Sequence, residues 1–270
     1  MAKKQCEYPP LQCRPWKTTF CLFDMDGTLC LEKKHASPDM HALLSRLRQK
    51  CTIGYVSGGC LSKQQRQLGS PSIPVSSLFD FCFPENGLSA IRLGVPLTSQ
   101  EHSFVHTIGG KNYNQFISWV LRYISDLDIP VKRGTFVELR FNNVNISPIG
   151  QGASFTEMED FRLYNQSHRV LKTMIEALED KFAHLNLKCA MGGKTCFDVF
   201  LEGWDKTYCL RHVEAERERS GLVYDEVHFF ADKIGKREND YELYRDERTI
   251  GHKVSGPEDT MKQVKELFDP

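Results

Sequence analysis

The sequence predicts an α/β fold: a core with a parallel sheet and an inserted cap of helices and short strands. Two apolar strand patterns, at residues 19–23 and 51–56, flank a helical pattern, and this order of strand, helix and strand is typical of a parallel sheet. Between about residues 96 and 203 the hydrophobic pattern changes, which indicates a second domain. Because 40% of the 270 residues are hydrophobic, the chain can form two hydrophobic cores.

An acidic turn follows the first apolar strand. Asp24 and Asp26 lie two residues apart at its end, and Gly27 allows a sharp backbone turn. Asp24 is a candidate nucleophile for a phosphoryl group, Asp26 a candidate general acid and base, and Thr28 a candidate donor to a phosphate oxygen. Because a carboxylate and a phosphate repel each other, such a site needs a cation. Acidic turns are common on surfaces, but Asp-x-Asp-Gly-Thr behind an apolar strand favours phosphoryl transfer.

A helix and a second strand follow the acidic turn. Ser37 and Pro38 form a good N-cap and first-turn pair, and apolar residues continue at helical spacing as far as Leu47. The second strand, at 51–56, ends at Ser57, whose hydroxyl is a further candidate catalytic group. An ordinary glycine-rich turn explains this stretch equally well.

The C-terminal third supplies further charged groups. Lys206 stands at the start of an amphipathic helical run, where its ammonium group can neutralise phosphate charge. An apolar strand at 227–230 places Asp232 at its end, and Asp240 follows. Carboxylates are the hard oxygen ligands that Mg²⁺ prefers, so these residues can supply ligands for the cation that the acidic turn needs.

The predicted cap contains a helix, two alternating strands, a long helix from near Thr156, and two short strands around Leu187 and Val199. The predicted domains are therefore a first core segment at 1–95, the cap at 96–203 and a second core segment at 204–270. A mixed-charge stretch at 214–221 is predicted to be a solvated loop, with partner docking as the alternative.

Composition excludes several classes of function. Acidic and basic residues balance at 35 each, so nothing favours nucleic acid or an acidic membrane as a partner. The chain has neither an apolar run long enough to span a bilayer nor a secretory signal, and its ten cysteines are scattered without the spacing of a zinc site. These features predict a cytoplasmic protein with reduced thiols.

Several stretches together, and in order, resemble one known family. They are PENGL at 84–88, KRGTFVELR at 132–140, NISPIG at 145–150, FDVF at 197–200, GWDK at 203–206 and RTIG at 248–251. With the acidic turn, they resemble the eukaryotic-type phosphomannomutases of the haloacid dehalogenase superfamily. The resemblance implies a Rossmann-like haloacid dehalogenase core with an inserted α+β cap domain. It also implies interconversion of mannose 6-phosphate and mannose 1-phosphate through an aspartyl phosphate, which supplies mannose for GDP-mannose and glycosylation.

The resemblance further implies Mg²⁺, a hexose 1,6-bisphosphate activator and a homodimer formed through the cap. It assigns roles to two groups of cation ligands. The implied ligands of the catalytic cation are Asp24, the Asp26 backbone carbonyl, Asp232 and Asp240, and those of a second, structural cation are Tyr244, Asp246 and Thr249.

A mutase must also hold the distal phosphate, and the resemblance implies a clamp of arginines for it. Arg140 is retained, but Lys33, Gln151 and Met158 stand where the family has arginines. Cys196 replaces a serine, while Asp198 stays available for a sugar hydroxyl. Three alternatives stay open: a mutase weakened by the lost arginines, a magnesium phosphatase acting on another sugar phosphate, and an inactive paralogue that binds a protein partner.

Overall fold

The computed structural model describes residues 8–97, 103–191 and 193–270. These residues form two compact units. The first contains 8–97, Lys206–Lys236 and Asp240–Pro270, and the second contains 103–191, 193–205 and Arg237–Asn239. The two units correspond in sequence to a core that is interrupted by an insertion. None of the described helices is both long and apolar enough to cross a membrane.

The first unit is built on a seven-stranded sheet with helices from three parts of the chain. Its strands are β1 (Trp16–Phe23), β2 (Cys51–Val56), β3 (Phe81–Phe83), β4 (Ile91–Arg92), β5 (Val95–Pro96), β10 (Glu226–Ala231) and β11 (Ile250–Lys253). Its helices are α1 (Pro38–Lys50), α2 (Leu61–Leu68), α3 (Val75–Leu78), α8 (Leu210–Glu214), α9 (Glu216–Ser220), α10 (Tyr241–Arg245) and α11 (Pro257–Phe268).

The sheet order is β11-β10-β1-β2-β3-β4-β5. All pairs from β11 to β3 are parallel, and β4 and β5 add an antiparallel edge. The α/β prediction is therefore confirmed. Since β1 and β10 are parallel neighbours with Phe23 opposite Phe230, the residues that follow them lie at the same edge of the sheet.

Helix α1 begins as the sequence predicts. The Ser37 hydroxyl accepts a hydrogen bond from the Met40 backbone N–H at 3.1 Å, and Pro38 occupies the first turn. The helix buries Met40, Leu43 and Leu47 against the sheet core. This packing fixes the connection between β1 and β2, the two strands whose ends carry the acidic turn and Ser57.

The second unit is a four-stranded antiparallel sheet with helices. Its strands, in the order β6-β7-β9-β8, are β6 (Val137–Leu139), β7 (Val144–Ile146), β8 (Leu187–Met191) and β9 (Phe197–Leu201). Its helices are α4 (Phe104–Ile108), α5 (Gly110–Asp126), α6 (Phe155–His168) and α7 (Val170–Lys181). They bury a separate apolar core that includes Phe116, Phe161 and Phe197.

The prediction of one long helix from near Thr156 is wrong in one respect. The structure has two helices there, α6 and α7, separated by Arg169. Arg169 adopts the left-handed conformation with φ 55°, and the Asn165 side-chain oxygen accepts a hydrogen bond from the Leu171 N–H at 2.9 Å. This side-chain bond offers the backbone an alternative to continuous helix, so the chain starts a new helix, α7, which buries Leu171 and Met174.

The prediction of a solvated loop at 214–221 is partly wrong, because most of the segment is exposed but it is not a loop. The segment contains α9, and the Glu216 side chain is fully buried. Glu216 binds the guanidinium groups of Arg92 and Arg219 and accepts a hydrogen bond from the Ser220 hydroxyl at 2.6 Å. A buried carboxylate is stable only when it is paired, and these partners anchor the segment to the β4 strand.

A buried ionic cluster ties the start of β1 to the rest of the first unit. Asp80, which is completely buried, binds the Arg14 guanidinium at 2.5 and 2.9 Å and the Arg48 guanidinium at 2.9 Å. Asp80 also accepts a hydrogen bond from the Ile53 backbone N–H at 3.0 Å. The cluster therefore joins three separate parts of the chain through one carboxylate.

We expect Asp80→Asn to lower the free energy of unfolding by about 3–5 kcal/mol, because it leaves two buried guanidiniums without their anion. Chemical denaturation measures this change. The matched control is Glu202→Gln, since Glu202 pairs with Lys188 at an exposed site, and we expect it to change stability by less than about 0.5 kcal/mol. Equal effects of the two substitutions would contradict this account of the cluster.

Candidate active site

Three carboxylates converge at one edge of the core sheet. Asp24 follows β1, Asp232 follows β10, and Asp240 precedes α10. One oxygen from each lies within 4.8 Å of the others. The Asp24 backbone N–H donates to the Phe230 carbonyl at 2.9 Å, so the β1–β10 pairing itself sets the distance between the first two residues. The sequence predicted all three, and the structure brings them together.

Lys206 supplies a buried positive charge to this cluster. Its ammonium group contacts Asp24 and lies 2.5 Å from Asp240. Lys206 opens a 3-10 turn at Lys206–Cys209, as the amphipathic pattern predicted, and is 1% exposed. Burial opposes its charge, but the two carboxylates outweigh burial and raise the pKa of Lys206 above its usual value. The side chain is therefore held charged beside the candidate nucleophile.

Asp232 provides an observation that fits a bound cation. Its Oδ1 atom is buried and has no hydrogen-bond partner among the described residues. Burial and the Asp24 charge raise the pKa of Asp232 to about 6, and burial and Asp24 likewise raise the pKa of Asp240 to about 7. An orphaned buried oxygen within a group of three carboxylates is an arrangement that a divalent cation stabilises. The donor set is suitable for Mg²⁺.

Asp26 has different partners from Asp24. Its two carboxylate oxygens lie 2.5 Å from the Lys63 ammonium and 2.8 Å from the Gln67 amide nitrogen. Burial opposes ionisation, but Lys63 outweighs it and lowers the pKa of Asp26. The side chain is thus engaged by α2, and a ligand role for Asp26 would fall to its backbone carbonyl, which stays a prediction.

The acidic turn has the sharp backbone turn that Gly27 predicted. Gly27 has φ +91°, and a Cβ atom there would lie 2.2 Å from Asp232 Oδ2. Glycine is therefore required both by conformation and by the close approach of a carboxylate. Thr28 is completely buried, and its hydroxyl oxygen has no hydrogen-bond partner among residues 8–97, 103–191 and 193–270. It remains a candidate donor to phosphate.

Ser57 lies at the end of β2, as predicted, and is 5% exposed. Its hydroxyl oxygen accepts a hydrogen bond from the Gly59 backbone N–H at 3.3 Å. This bond stabilises the glycine-rich turn, so the structure gives Ser57 a local structural contact. Its catalytic role stays a prediction.

The proposed second cation site lies around the loop between α10 and β11. The Arg248 guanidinium donates to both Asp246 carboxylate oxygens, at 2.8 and 2.7 Å, and holds the pKa of Asp246 below its usual value. The Thr249 hydroxyl donates to the Leu243 carbonyl at 2.6 Å, and the Tyr244 side chain packs partly buried beside the core. Cation binding by Tyr244, Asp246 and Thr249 stays a prediction.

Several predicted clamp residues form a polar chain in the second unit. Arg140 donates to Asp198 at 3.1 Å and to Glu138 at 2.8 Å. Asn145, opposite Asp198 in the sheet, donates to the same Asp198 oxygen at 2.7 Å, and Gln151 donates to Asn145 at 2.7 Å. The retained arginine and the substituted Gln151 thus belong to one hydrogen-bonded chain.

The other three predicted substrate residues have separate positions. Met158 lies half-buried on α6 and packs against the core of the second unit. Cys196 is half-buried directly before β9. Lys33 is exposed in the loop after the acidic turn, within the first unit, with φ 61°. Substrate binding by these residues is untested by the geometry and stays a prediction.

Comparison with known proteins places this arrangement in a family. A family model described as eukaryotic phosphomannomutase matches residues 40–270. The phosphomannomutase of Schizosaccharomyces pombe is 45% identical over 260 residues, which cover 96% of this chain and 98% of the relative. The chain belongs to the eukaryotic phosphomannomutase family. The phosphomannomutase of Saccharomyces cerevisiae is similarly close, with 46% identity over 93% of this chain and 94% of its own length.

Solved structures are similar in fold at low sequence identity. The N-terminally truncated, IMP-bound IMP-nucleotidase of Plasmodium falciparum aligns with a TM-score of 0.60 and 14% identity, over 93% of this chain and 68% of the nucleotidase chain. A trehalose-6-phosphate phosphatase related protein aligns with a TM-score of 0.53 and 17% identity, over 92% of this chain and 96% of the other. These structures agree with the haloacid dehalogenase fold that the phosphomannomutase resemblance implies.

Sequence reasoning missed Lys63 and Gln67, which hold Asp26. They are spaced by four residues on α2, directly beyond the glycine-rich turn. That spacing puts them on one helix face, and a helix that starts at the carboxyl end of β2 can direct that face towards the acidic turn. This signal was available, but Lys and Gln at such spacing also occur on ordinary solvated faces.

We expect Gly27→Ala to weaken Mg²⁺ binding by about tenfold or more, because the new methyl group must displace the Asp232 carboxylate. Isothermal titration with Mg²⁺ measures the affinity. Gly221→Ala is the matched control, since Gly221 also has positive φ (+75°) but nothing lies within 4 Å of its added Cβ atom. If both variants bind Mg²⁺ equally well, the Gly27 contact does not control the site.

Proposed function

We propose that the protein is a Mg²⁺-dependent phosphomannomutase that interconverts mannose 6-phosphate and mannose 1-phosphate. The observation that carries this proposal is the convergence of Asp24, Asp232 and Asp240 around the buried Lys206. A carboxylate nucleophile, a buried ammonium group and a divalent-cation donor set are parts that phosphoryl transfer uses. Membership of the family supports mannose phosphates as the substrate.

In this proposal an Asp24 oxygen attacks the phosphorus atom, and the bond between phosphorus and the sugar oxygen breaks. The product is an aspartyl phosphate and a sugar hydroxyl, to which Asp26 delivers a proton. Lys206 stabilises the charge on Asp24 and on the transferred phosphoryl group, and the Thr28 hydroxyl donates to a phosphoryl oxygen. A bound Mg²⁺ would be held by Asp24, Asp232 and Asp240 and would neutralise negative charge.

Asp26 must exchange partners during such a cycle. Its pairing with Lys63 and Gln67 favours the carboxylate form. A general base needs this form, whereas proton donation to the sugar oxygen needs the protonated form. We infer that release of Asp26 from Lys63 accompanies substrate binding, so that Lys63 sets when Asp26 acts as an acid.

The remaining family properties belong to the same proposal. A hexose 1,6-bisphosphate would serve as activator by phosphorylating Asp24, and Arg140 with Asp198 would bind the distal part of the sugar phosphate. A homodimer formed through the second unit is proposed on family resemblance, and a cytoplasmic location is proposed on the sequence features described above.

The test is turnover of mannose 1-phosphate by the purified protein with Mg²⁺ and a hexose 1,6-bisphosphate. Mannose 6-phosphate and free phosphate are followed in the same reaction. Formation of mannose 6-phosphate supports the mutase, whereas phosphate release alone would identify a phosphatase. Absence of both products would favour the inactive, partner-binding alternative.

We expect Asp24→Asn to abolish the phosphoenzyme and to lower turnover by about a thousandfold or more, because an amide cannot act as the nucleophile. Asp39→Asn, at an exposed position in the first turn of α1, is the matched control and should retain activity. Phosphoenzyme formation is measured with radiolabelled bisphosphate. Labelling of Asp24→Asn at the level of the control would exclude Asp24 as nucleophile.

We expect Gln151→Arg combined with Met158→Arg to increase mutase turnover by about tenfold, since each restores a charge-assisted contact to phosphate. The control adds two arginines to exposed positions of α6, Leu163→Arg with Gln166→Arg. The assay is the conversion of mannose 1-phosphate to mannose 6-phosphate. An increase in the control, or no increase in the test variant, would refute loss of the clamp as the cause of weak activity.

A further inference from the structure

The second unit contains a groove that takes no part in the proposed chemistry. It has a volume of about 890 Å³ and lies between α5 and the end of α7. This volume falls in the range of small-molecule sites. Its lining residues are Lys111, Asn114, Gln115, Ser118, Trp119, Arg122, Lys181, Phe182 and His184.

The charge of this groove is of one sign. Lys111, Arg122 and Lys181 are exposed cations, and none of the nine lining residues is acidic. Within the described residues, no ion pair involves these three cations. Several cations elsewhere in the same unit are paired, such as Arg133 with Glu157 and Lys194 with Glu159. Cations without acidic partners are therefore available in the groove, where a ligand can reach them.

The arrangement follows from the sequence of α5. Lys111, Gln115, Ser118 and Arg122 recur at intervals of four, three and four residues, which places them on one helix face. Lys181 adds a third cation from the last turn of α7. A row of lysine, amide, hydroxyl and guanidinium groups can donate hydrogen bonds to several phosphate oxygens at once.

An aromatic wall accompanies these donors. The half-buried Trp119 ring is held between Tyr123, at 5.0 Å between ring centroids, and Phe182, at 5.8 Å. Two neighbouring rings restrict its motion, so it offers a fixed surface for a planar ring of a ligand. Asn114 and Gln115 have both donor and acceptor atoms that can bind the edge of a base.

We propose that this groove binds a nucleoside diphosphate or triphosphate, with its phosphates on Lys111, Arg122 and Lys181 and its base against Trp119. Such a site lies within the second unit and needs none of Asp24, Asp26 or Lys206. It is independent of the proposed mutase activity, and it would make the protein responsive to a nucleotide. Inorganic phosphate lacks the ring and should bind more weakly.

The test uses the full-length protein without Mg²⁺ and in the presence of saturating mannose 1-phosphate, so that the catalytic site does not compete. ADP, GDP, UDP and pyrophosphate are titrated separately, and the three tryptophan indole N–H signals are followed by NMR. We expect at least one nucleotide to shift the Trp119 signal, which Trp119→Phe identifies. We expect that nucleotide to bind about tenfold or more tightly than pyrophosphate.

The variant Arg122→Ala with Lys181→Ala should weaken nucleotide binding by about tenfold or more, because it removes two charge-assisted contacts. Lys172→Ala with Lys188→Ala is the matched control, since it removes the same charge from exposed positions outside the groove. Size-exclusion chromatography checks that the variants keep the oligomeric state. Equal binding by the two double variants, binding of pyrophosphate as tight as that of every nucleotide, or an unmoved Trp119 signal would overturn the proposal.

Discussion

The Lys206 ammonium, shared between Asp24 and Asp240, is the contact around which the core site is organised. All three side chains are nearly or completely inaccessible to water, and burying such groups is costly unless they are paired with one another. Their meeting depends on the sheet, because β1 and β10 must be parallel neighbours for Asp24 and Asp232 to emerge at one edge. It also depends on the 3-10 turn at Lys206–Cys209, which starts the chain's return from the inserted residues to the core. Fold and site are therefore specified by the same few pairings.

The charges of this site explain why its oxygen atoms are suited to a cation. Three carboxylates face one ammonium. Lys233 adds a second positive charge nearby, because burial opposes that charge but Asp24 and Asp232 outweigh burial and raise the pKa of Lys233. When all three carboxylates are ionised, one negative charge remains uncompensated, which agrees with the raised pKa values of Asp232 and Asp240, and a phosphoryl group would bring more. A divalent cation would neutralise both the excess carboxylate charge and the charge of the phosphoryl group. Cation binding and phosphate binding should therefore depend on each other here.

The features that the sequence predicted well are those in which chemistry and local structure coincide. Asp24, Asp232 and Lys206 each stand at the end of an apolar strand or at the start of a helix, so the hydrophobic pattern placed them, and the family resemblance singled them out from other charged residues. Glu216 was missed because its partner Arg92 lies 124 positions away, and no local pattern distinguishes a buried glutamate from the charged residues around it. The break at Arg169 was missed because the apolar periodicity continues through it, while the deciding bond comes from Asn165. Glu216 therefore depends on a tertiary contact, whereas the break at Arg169 depends on a side-chain bond within its own segment.

In the proposed mutase, the polar chain around Arg140 would set how strongly a second phosphate is held. A guanidinium has five N–H donors, and Arg140 uses one each from Nε, Nη1 and Nη2 on Glu138 and Asp198, while the other two have no partner among the described residues. Its charge, however, is opposed by two carboxylates, so these three residues together carry one negative charge. Gln151 can add a neutral donor but no charge. These residues therefore keep hydrogen-bond donors that suit a phosphate, but they have lost the net positive charge that would attract it. In a mutase the bisphosphate must stay bound while it reverses its orientation, so in the proposed mechanism a clamp with donors but no net positive charge would affect retention of this intermediate more than the first transfer to Asp24.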